Sequence, residues 1–400
     1  MRTGTPGFQP ERLVEAREIR GLTQLALGEL IKKPNTTISR WEKGIQSPEN
    51  DALHVLASAL NVPVSFFFKT VYKNENKPFF FRSMASATLQ ERKRTKNRMR
   101  WLQEISIFLQ ELVELPAVNV PQIGVKNYQE IAENDIEKAA DSCRKLWGLG
   151  NGPILNLLLA LENNGIVIGK EKIGSTKMDG LSNWCELDGR PYLLIASDKD
   201  SCVRSRLDAA HEVGHLVLHS NIDRDMLTKK EHFKEIEAQA FKFAGCFLMP
   251  SDTFAAEVWS PSLDAFLVLK ERWKTSISAM IMRCRDLGLT SDEYEKRLWK
   301  YYSYRGWRKK EPLDDTLAIE KPKLLRRAIE LLIKEGVYSR QQLIDNLHLP
   351  SYDVEHLCSL PVDFFEKSST SKIVNLPRIR KNKANNKKKY RGDVVPFRKD

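Results

Sequence analysis

Two histidines four residues apart, His211 and His215, with Glu212 directly after the first, stand inside a run from Leu207 to Leu218. Its apolar residues Leu207, Ala210, Leu216 and Val217 recur at helical spacing. Residues four apart on a helix share a face, so both imidazoles can bind one metal ion while Glu212 falls beside the open coordination position. The chemistry this predicts is hydrolysis. Zinc lowers the pKa of a water toward neutrality, and an adjacent carboxylate can take its proton and pass it to a leaving amine. The plainer alternative is a pair of histidines on a helix in an ordinary core.

A catalytic zinc takes three protein ligands, so a third must come from elsewhere in the chain. His219 follows too closely on the same helix to be carried back over the metal, and reads as a supporting or surface histidine. Leu218 and Asn221 stand where a metzincin would have glycine and histidine, which excludes that class. Further on, Glu235 to Ala244 is strongly helical, and Glu237 shares a face with Ala240 and Ala244. Small residues let one helix lie close against another, so this face can carry Glu237 to the metal and complete a His, His, Glu set. Glu235 is the rival, on a different face.

The neighbouring segments have narrower roles to offer. Arg190 to Ser197 is a short apolar run bounded by turn residues and reads as a strand. A strand beside the metal can hold substrate backbone by edge addition, against the plainer reading of a buried strand. Arg204 and Arg206 are candidates for orienting a substrate carbonyl, with a surface ion pair as the alternative. No residue is singled out for stabilising an oxyanion.

Ahead of this centre, Glu11 to Ile19 reads as a helix, and Gly21-Leu22-Thr23-Gln24 stops it and starts a second with Thr23 as N-cap. After Lys33-Pro34, the run Asn35 to Gly44 turns Ile38 and Trp41 inward and leaves Asn35, Thr36, Ser39 and Arg40 outside. Two short helices joined by a tight turn, the second presenting small polar groups and an arginine, suit entry into the major groove of duplex DNA. Arg40 or Asn35 can then make a bidentate base contact, with Gln24 at the start of the preceding helix. A small bundle that binds protein is the alternative.

The chain has 400 residues, 42% hydrophobic and 29% charged, values of an ordinary folded protein with two or three compact units. The uncharged run after Lys145 is broken by Gly148, Gly150, Gly152 and Pro153, so no membrane-spanning segment is expected. The N-terminus lacks an apolar signal segment, which predicts a cytoplasmic location. Six cysteines without a C-x-x-C pair read as reduced, buried thiols. The net charge of +12 is concentrated in Ser371 to Asp400, where eleven Lys and Arg face two Asp. The punctuation divides the chain into a DNA-reading head at 8–69, a basic and helical linker at 70–125, a metal domain at 126–310, a helical region at 311–366 with apolar positions such as Leu325, Ile329 and Leu332, and a basic, disordered tail at 367–400.

Two resemblances add to these readings. Leu22-Thr23-Gln24, then Thr37 to Gly44, then Leu53 to Leu60 and Phe66-Phe67-Phe68, resemble the Xre/Cro-type repressor domain, with Pro34 departing from the Ser or Thr cap of that pattern. Ala210 to His215, Glu237-Ala238-Gln239-Ala240, Phe243-Ala244 and Phe247-Leu248-Met249-Pro250 resemble the ImmA/IrrE metallopeptidases. Phe80-Phe81-Arg82-Ser83, Trp147 to Gly150 with Gly152-Pro153, Asn164-Gly165-Ile166, Leu287-Gly288-Leu289 and Arg305-Gly306-Trp307 resemble members fused behind such a head. The resemblance implies an α+β, mostly helical fold: an all-α head, then a zincin-like domain with a small sheet. It implies His211, His215 and Glu237 as zinc ligands, Glu212 as catalytic base, and a bacterial or phage regulator that cuts or inactivates a transcriptional repressor. Separately, a homodimer is one way for the head to sit on DNA. The competing expectation is a transcription factor whose metal domain is a sensor or scaffold without proteolysis.

Overall fold

The computed structural model describes residues 4–71, 77–81, 88–171, 180–197, 201–227, 229–366 and 395–396. The head comprises α1 (Pro10–Ile19), α2 (Gln24–Leu30), α3 (Asn35–Glu42) and α4 (Asn50–Leu60). Thr23 caps α2 as expected, its hydroxyl accepting the Ala26 N–H at 3.1 Å, whereas α3 starts after Pro34 without a side-chain cap. Ile38 and Trp41 turn inward onto Leu13, Leu27, Leu53 and Phe66, a core small enough to fold from local amphipathic stretches.

A short strand, β1 (Phe79–Phe81), precedes the long helix α5 (Leu89–Gln110), which opens on a capping box between Thr88 and Glu91. Then follow β2 (Val113–Glu114), α6 (Glu133–Leu146), α7 (Leu157–Asn163), β3 (Val167–Glu171), β4 (Gly180–Trp184), β5 (Pro191–Ala196), α8 (Cys202–Leu218) and α9 (Lys230–Leu248). Four shorter helices, α10 (Ser251–Glu257), α11 (Leu263–Trp273), α12 (Ile277–Asp286) and α13 (Asp292–Tyr304), pack beside them, and α14 (Leu324–Lys334), α15 (Arg340–Leu347) and α16 (Ser351–Leu357) close the described helical part. The expected α+β, mostly helical architecture is what the chain adopts. The basic stretch 367–400 lies outside the described residues except for β6 (Val395–Pro396), which pairs parallel with β2.

The main sheet has four strands in the order β1-β4-β5-β3. β3 runs parallel to β5, β4 antiparallel to β5, and β1 antiparallel to β4. Side chains alternate across a strand, so Tyr192 and Leu194 of β5 face the core shared with α5 while Leu193 and Ile195 face the core shared with α8 and α9. Both faces are covered, which is why the strand reads as a continuous apolar run. This placement corrects one expectation. β5 has β4 on one side and β3 on the other, so no backbone edge of it is left to receive a substrate.

Within 70–125, α5 buries Met99, Trp101, Leu102, Ile105 and Leu109, and these join the head, one face of the sheet and α14 to α16 in one continuous core. Buried ion pairs lock this junction. Asp353 of α16 meets Arg20 of the head at 2.7 Å and Arg98 of α5 at 2.5 Å. Burial opposes ionisation of Asp353, but the guanidiniums of Arg98 and Arg20 outweigh it and hold its carboxyl below the ordinary value. The six cysteines are free and buried, and burial pushes the Cys143, Cys185 and Cys284 thiols up to about 12, too high for thiolate chemistry. No described helix is long and apolar enough to cross a membrane.

Candidate metal centre and DNA-facing helix

α8 presents His211 and His215 one turn apart, with their Nε2 atoms 3.1 Å from each other. α9 lies close against it because Gly214 has no side chain. A Cβ there would stand 3.1 Å from the Ala240 carbonyl oxygen and 3.2 Å from the Phe243 Cβ. The small-residue face of α9 thereby brings in Glu237, whose carboxylate oxygens lie 3.4 Å from His211 Nε2 and 3.1 Å from His215 Nε2. Glu235, the rival, is exposed on another face of α9.

One donor atom from each of His211, His215 and Glu237 lies within 4.8 Å of the other two. Donors about 2.1 Å from a shared tetrahedral ion lie about 3.4 Å apart, so this cluster has the dimensions of a zinc site with two imidazoles, one carboxylate and one position left open. The donor chemistry and the burial of all three groups fit such an ion.

The side chains behind His215 decide which of its nitrogens is bare. Gln239 donates its amide Nε2–H to the carbonyls of Tyr128 and Ile131, at 2.9 and 3.4 Å, so its Oε1 is the atom that faces His219. His219 Nε2 lies 3.0 Å from that oxygen and must donate to it. Its Nδ1 is then the acceptor in the 3.0 Å contact with His215 Nδ1, which carries the proton. His215 is therefore held in the tautomer whose Nε2 lone pair points into the cluster, the arrangement a metal ligand needs. Burial, and then the nearby His215, hold His219 well below the ordinary histidine value, so it stays the neutral middle of this chain.

Glu212 is fully buried next to the start of β4. A Cβ on Gly180 would approach its Oε1 to 3.0 Å and its Cγ to 3.1 Å, so the absent side chain is what gives this carboxylate its room. Phe241 closes on His211, ring centroids 4.3 Å apart, and Phe80 of β1 stacks on His215 at 4.8 Å with the planes 7° from parallel. Arg206, expected at the surface or near substrate, is instead buried. It binds the Glu320 carboxylate and the carbonyls of Lys274 and Ile154, the latter two at 3.1 and 2.8 Å, and so ties α8 to its surroundings. Arg204 donates to the Lys309 carbonyl at 3.1 Å.

His219, read from the sequence as a supporting or surface histidine, is buried and takes the supporting part behind His215. Gln239 and Phe80 stand in the sequence only inside the motifs that carry the resemblance, with no part assigned to them, and Gly180 was not singled out, because the partners of all three are distant in the chain.

On the head, Asn35, Thr36 and Arg40 are exposed and Ser39 is half-buried along the outer face of α3. Gln24 is half-buried too, and its amide donates to Glu42 at 2.7 Å, a carboxylate that Arg17 also holds. The face is thus an open polar surface on a helix fixed from beneath.

Residues 161–285 match the IrrE N-terminal-like domain of the family Peptidase_M78, and residues 13–67 match the family Helix-turn-helix. No curated protein matches the chain. The first match runs from α7 to α12 and contains His211, Glu212, His215 and Glu237, and the second contains α2 and α3. The chain therefore joins an Xre-type DNA-binding helix-turn-helix head to an IrrE N-terminal-like domain of a metallopeptidase family.

Proposed function

We propose that this protein is a DNA-binding regulator whose second part is a zinc-dependent endopeptidase that cleaves a repressor-type transcription factor. The observation that carries the reading is the convergence of His211, His215 and Glu237 on one point beside a buried Glu212. His211, His215 and Glu237 would hold the ion, which when bound polarises a carbonyl and makes water acidic enough to react near neutral pH. Glu212 supplies the proton transfer: its carboxylate takes the proton from the attacking water and returns it to the leaving amine nitrogen. Gly180 keeps space for that carboxylate, and Gln239 through His219 keeps the ring of His215 turned for ligation.

The head supplies the address. Asn35, Thr36, Ser39 and Arg40 are the side chains that read base edges, Gln24 supports them from the start of α2, and a homodimer would let two heads read paired half-sites. A scaffold or sensor has no chemical use for Glu212, which favours the enzyme. The test is metal analysis of the purified chain, expected to give about one zinc, followed by incubation of the zinc-loaded protein with a repressor from the same genome. Cleavage that disappears in Glu212→Gln while zinc remains supports the reading. Absence of zinc from the protein, or cleavage untouched by Glu212→Gln, overturns it.

A further inference from the structure

β4 is the strand that borders the metal centre: its first residue, Gly180, touches Glu212, and α8 lies beneath it. Its inner side pairs with β5. Its outer side is the place where an extended peptide could add as a further antiparallel strand, the usual way a sheet edge captures backbone. That place is taken by the chain itself. Phe79, Phe80 and Phe81 pair antiparallel with Asn183, Ser182 and Leu181.

The self-strand is held by specific contacts. Asn183, oriented by Gln103 at 3.0 Å, donates its amide Nδ2–H to the carbonyl of Pro78 at 2.9 Å and faces that of Lys77 at 3.4 Å. Lys77 donates to the Asn221 side chain at 2.9 Å, just past the end of α8. Phe80 is only 3% exposed. Its ring covers the imidazole of His215 and packs with Tyr128, Ile222, Leu227 and Ile236 in a small apolar pocket. His211, Glu212 and His215 are buried, and of the three residues converging at the centre Glu237 alone keeps some exposure, at 9%. An enzyme that cuts another protein must receive a backbone there.

We infer that residues 77–81 occupy in cis the position of a peptide substrate, so that the peptidase is latent until an incoming extended segment replaces Phe79–Phe81 on β4 and seats an apolar or aromatic side chain where Phe80 now sits. This rests on the peptidase reading above, and it adds the substrate's mode of docking and the state that withholds it. Three paired residues make a short strand, which a longer one can displace. Because the self-strand is tethered, it competes at an effective concentration of about millimolar, enough to exclude weak peptides.

The test uses the zinc-loaded full-length protein and a fluorescein-labelled peptide of residues 77–81, followed by anisotropy, so that binding is read without catalysis. Phe80→Ala empties the pocket and Lys77→Ala loosens the strand from its exposed end without touching the core. Labelled peptide is expected to bind Phe80→Ala roughly tenfold or more tighter than wild type, Lys77→Ala to a lesser degree in the same direction, and Phe80→Leu as weakly as wild type. In parallel, Phe80→Ala should cleave an unstructured reporter peptide containing one phenylalanine faster than wild type, and the labelled peptide should inhibit it. Equal binding to wild type, Phe80→Ala and Lys77→Ala, with all three folded by circular dichroism, overturns the inference. Peptide capture by the variants with no cleavage of any substrate upholds the inference about the strand and removes the peptidase reading instead.

Discussion

The outer face of α3 and the metal centre are built in opposite ways. The face on α3 is a single eight-residue helix whose polar residues point to solvent, while the centre draws on two helices and two strands and is buried, Glu237 alone keeping about a tenth of its surface exposed. DNA can meet the first without any rearrangement, since a groove accepts a helix as a rigid body. On the docking inferred above, a protein substrate meets the second only after Phe79–Phe81 leave β4. The difference teaches that the recognition face is displayed while the candidate metal centre lies inside the molecule; the core through α5 joins the head to one face of the sheet, and α8 and α9 pack in a separate core on the other face.

The comparison breaks most sharply at the ligands. His211→Ala or His215→Ala leaves two protein donors, and the expected outcome is loss of essentially all zinc and of cleavage while DNA binding by the head persists. Metal analysis and gel shifts on the same preparation check it, and loss of DNA binding as well would mean that the two regions are not separable.

Next in size is the junction between them. Asp353→Ala leaves Arg98 buried without its closest carboxylate, and breaking a buried pair of this kind costs about 3–5 kcal/mol. Urea denaturation should show the loss, with the head becoming the first part cut by protease. Because the Asp353 carboxyl is held below its unfolded value, its stabilising contribution is fully present above the ordinary aspartate range and fades as pH falls through the lowered folded value. An acid titration of stability should therefore be shallower in Asp353→Ala than in wild type.

Glu212→Gln sharpens the comparison within the centre. It keeps size and removes the base, so zinc content and folding should stay while cleavage falls by about a hundredfold or more. On the other region, Arg40→Ala should cost about 1–3 kcal/mol in discrimination between operator sequences, read from binding titrations at several salt concentrations, with zinc unchanged. The smallest expected effect is at Gly180→Ala. The added methyl must push the Glu212 carboxylate by a few tenths of an ångström, and since an ångström of misplacement can cost about a hundredfold, a loss of roughly severalfold in kcat is expected at full zinc occupancy.

How much of this was legible beforehand depended on range along the chain. Two local patterns were enough for Thr23 to be read as a cap, Ile38 and Trp41 as core, and His211 and His215 as neighbours, because helical spacing alone puts residues three or four apart on one face. Glu237 was separable from Glu235 only as a preference among faces, and its place beside the histidines depends on how closely α9 lies against Gly214. The strand at Pro191–Ala196 was legible as a strand, yet its position inside the sheet was not, since periodicity gives alternation and says nothing about which neighbours pair.

The amino-acid sequence by itself therefore determined the two chemistries, a helix that can enter a groove and a helix that can hold a metal, because both are written in intervals of a few residues. The tertiary structure alone decided what surrounds them. It set the tautomer of His215 through a glutamine from another helix, the room for Glu212 through a glycine on a strand, and the covering of His215 by Phe80 from a strand more than a hundred residues earlier in the chain. Those contacts arise from packing between segments far apart in sequence, where no local pattern records the partner.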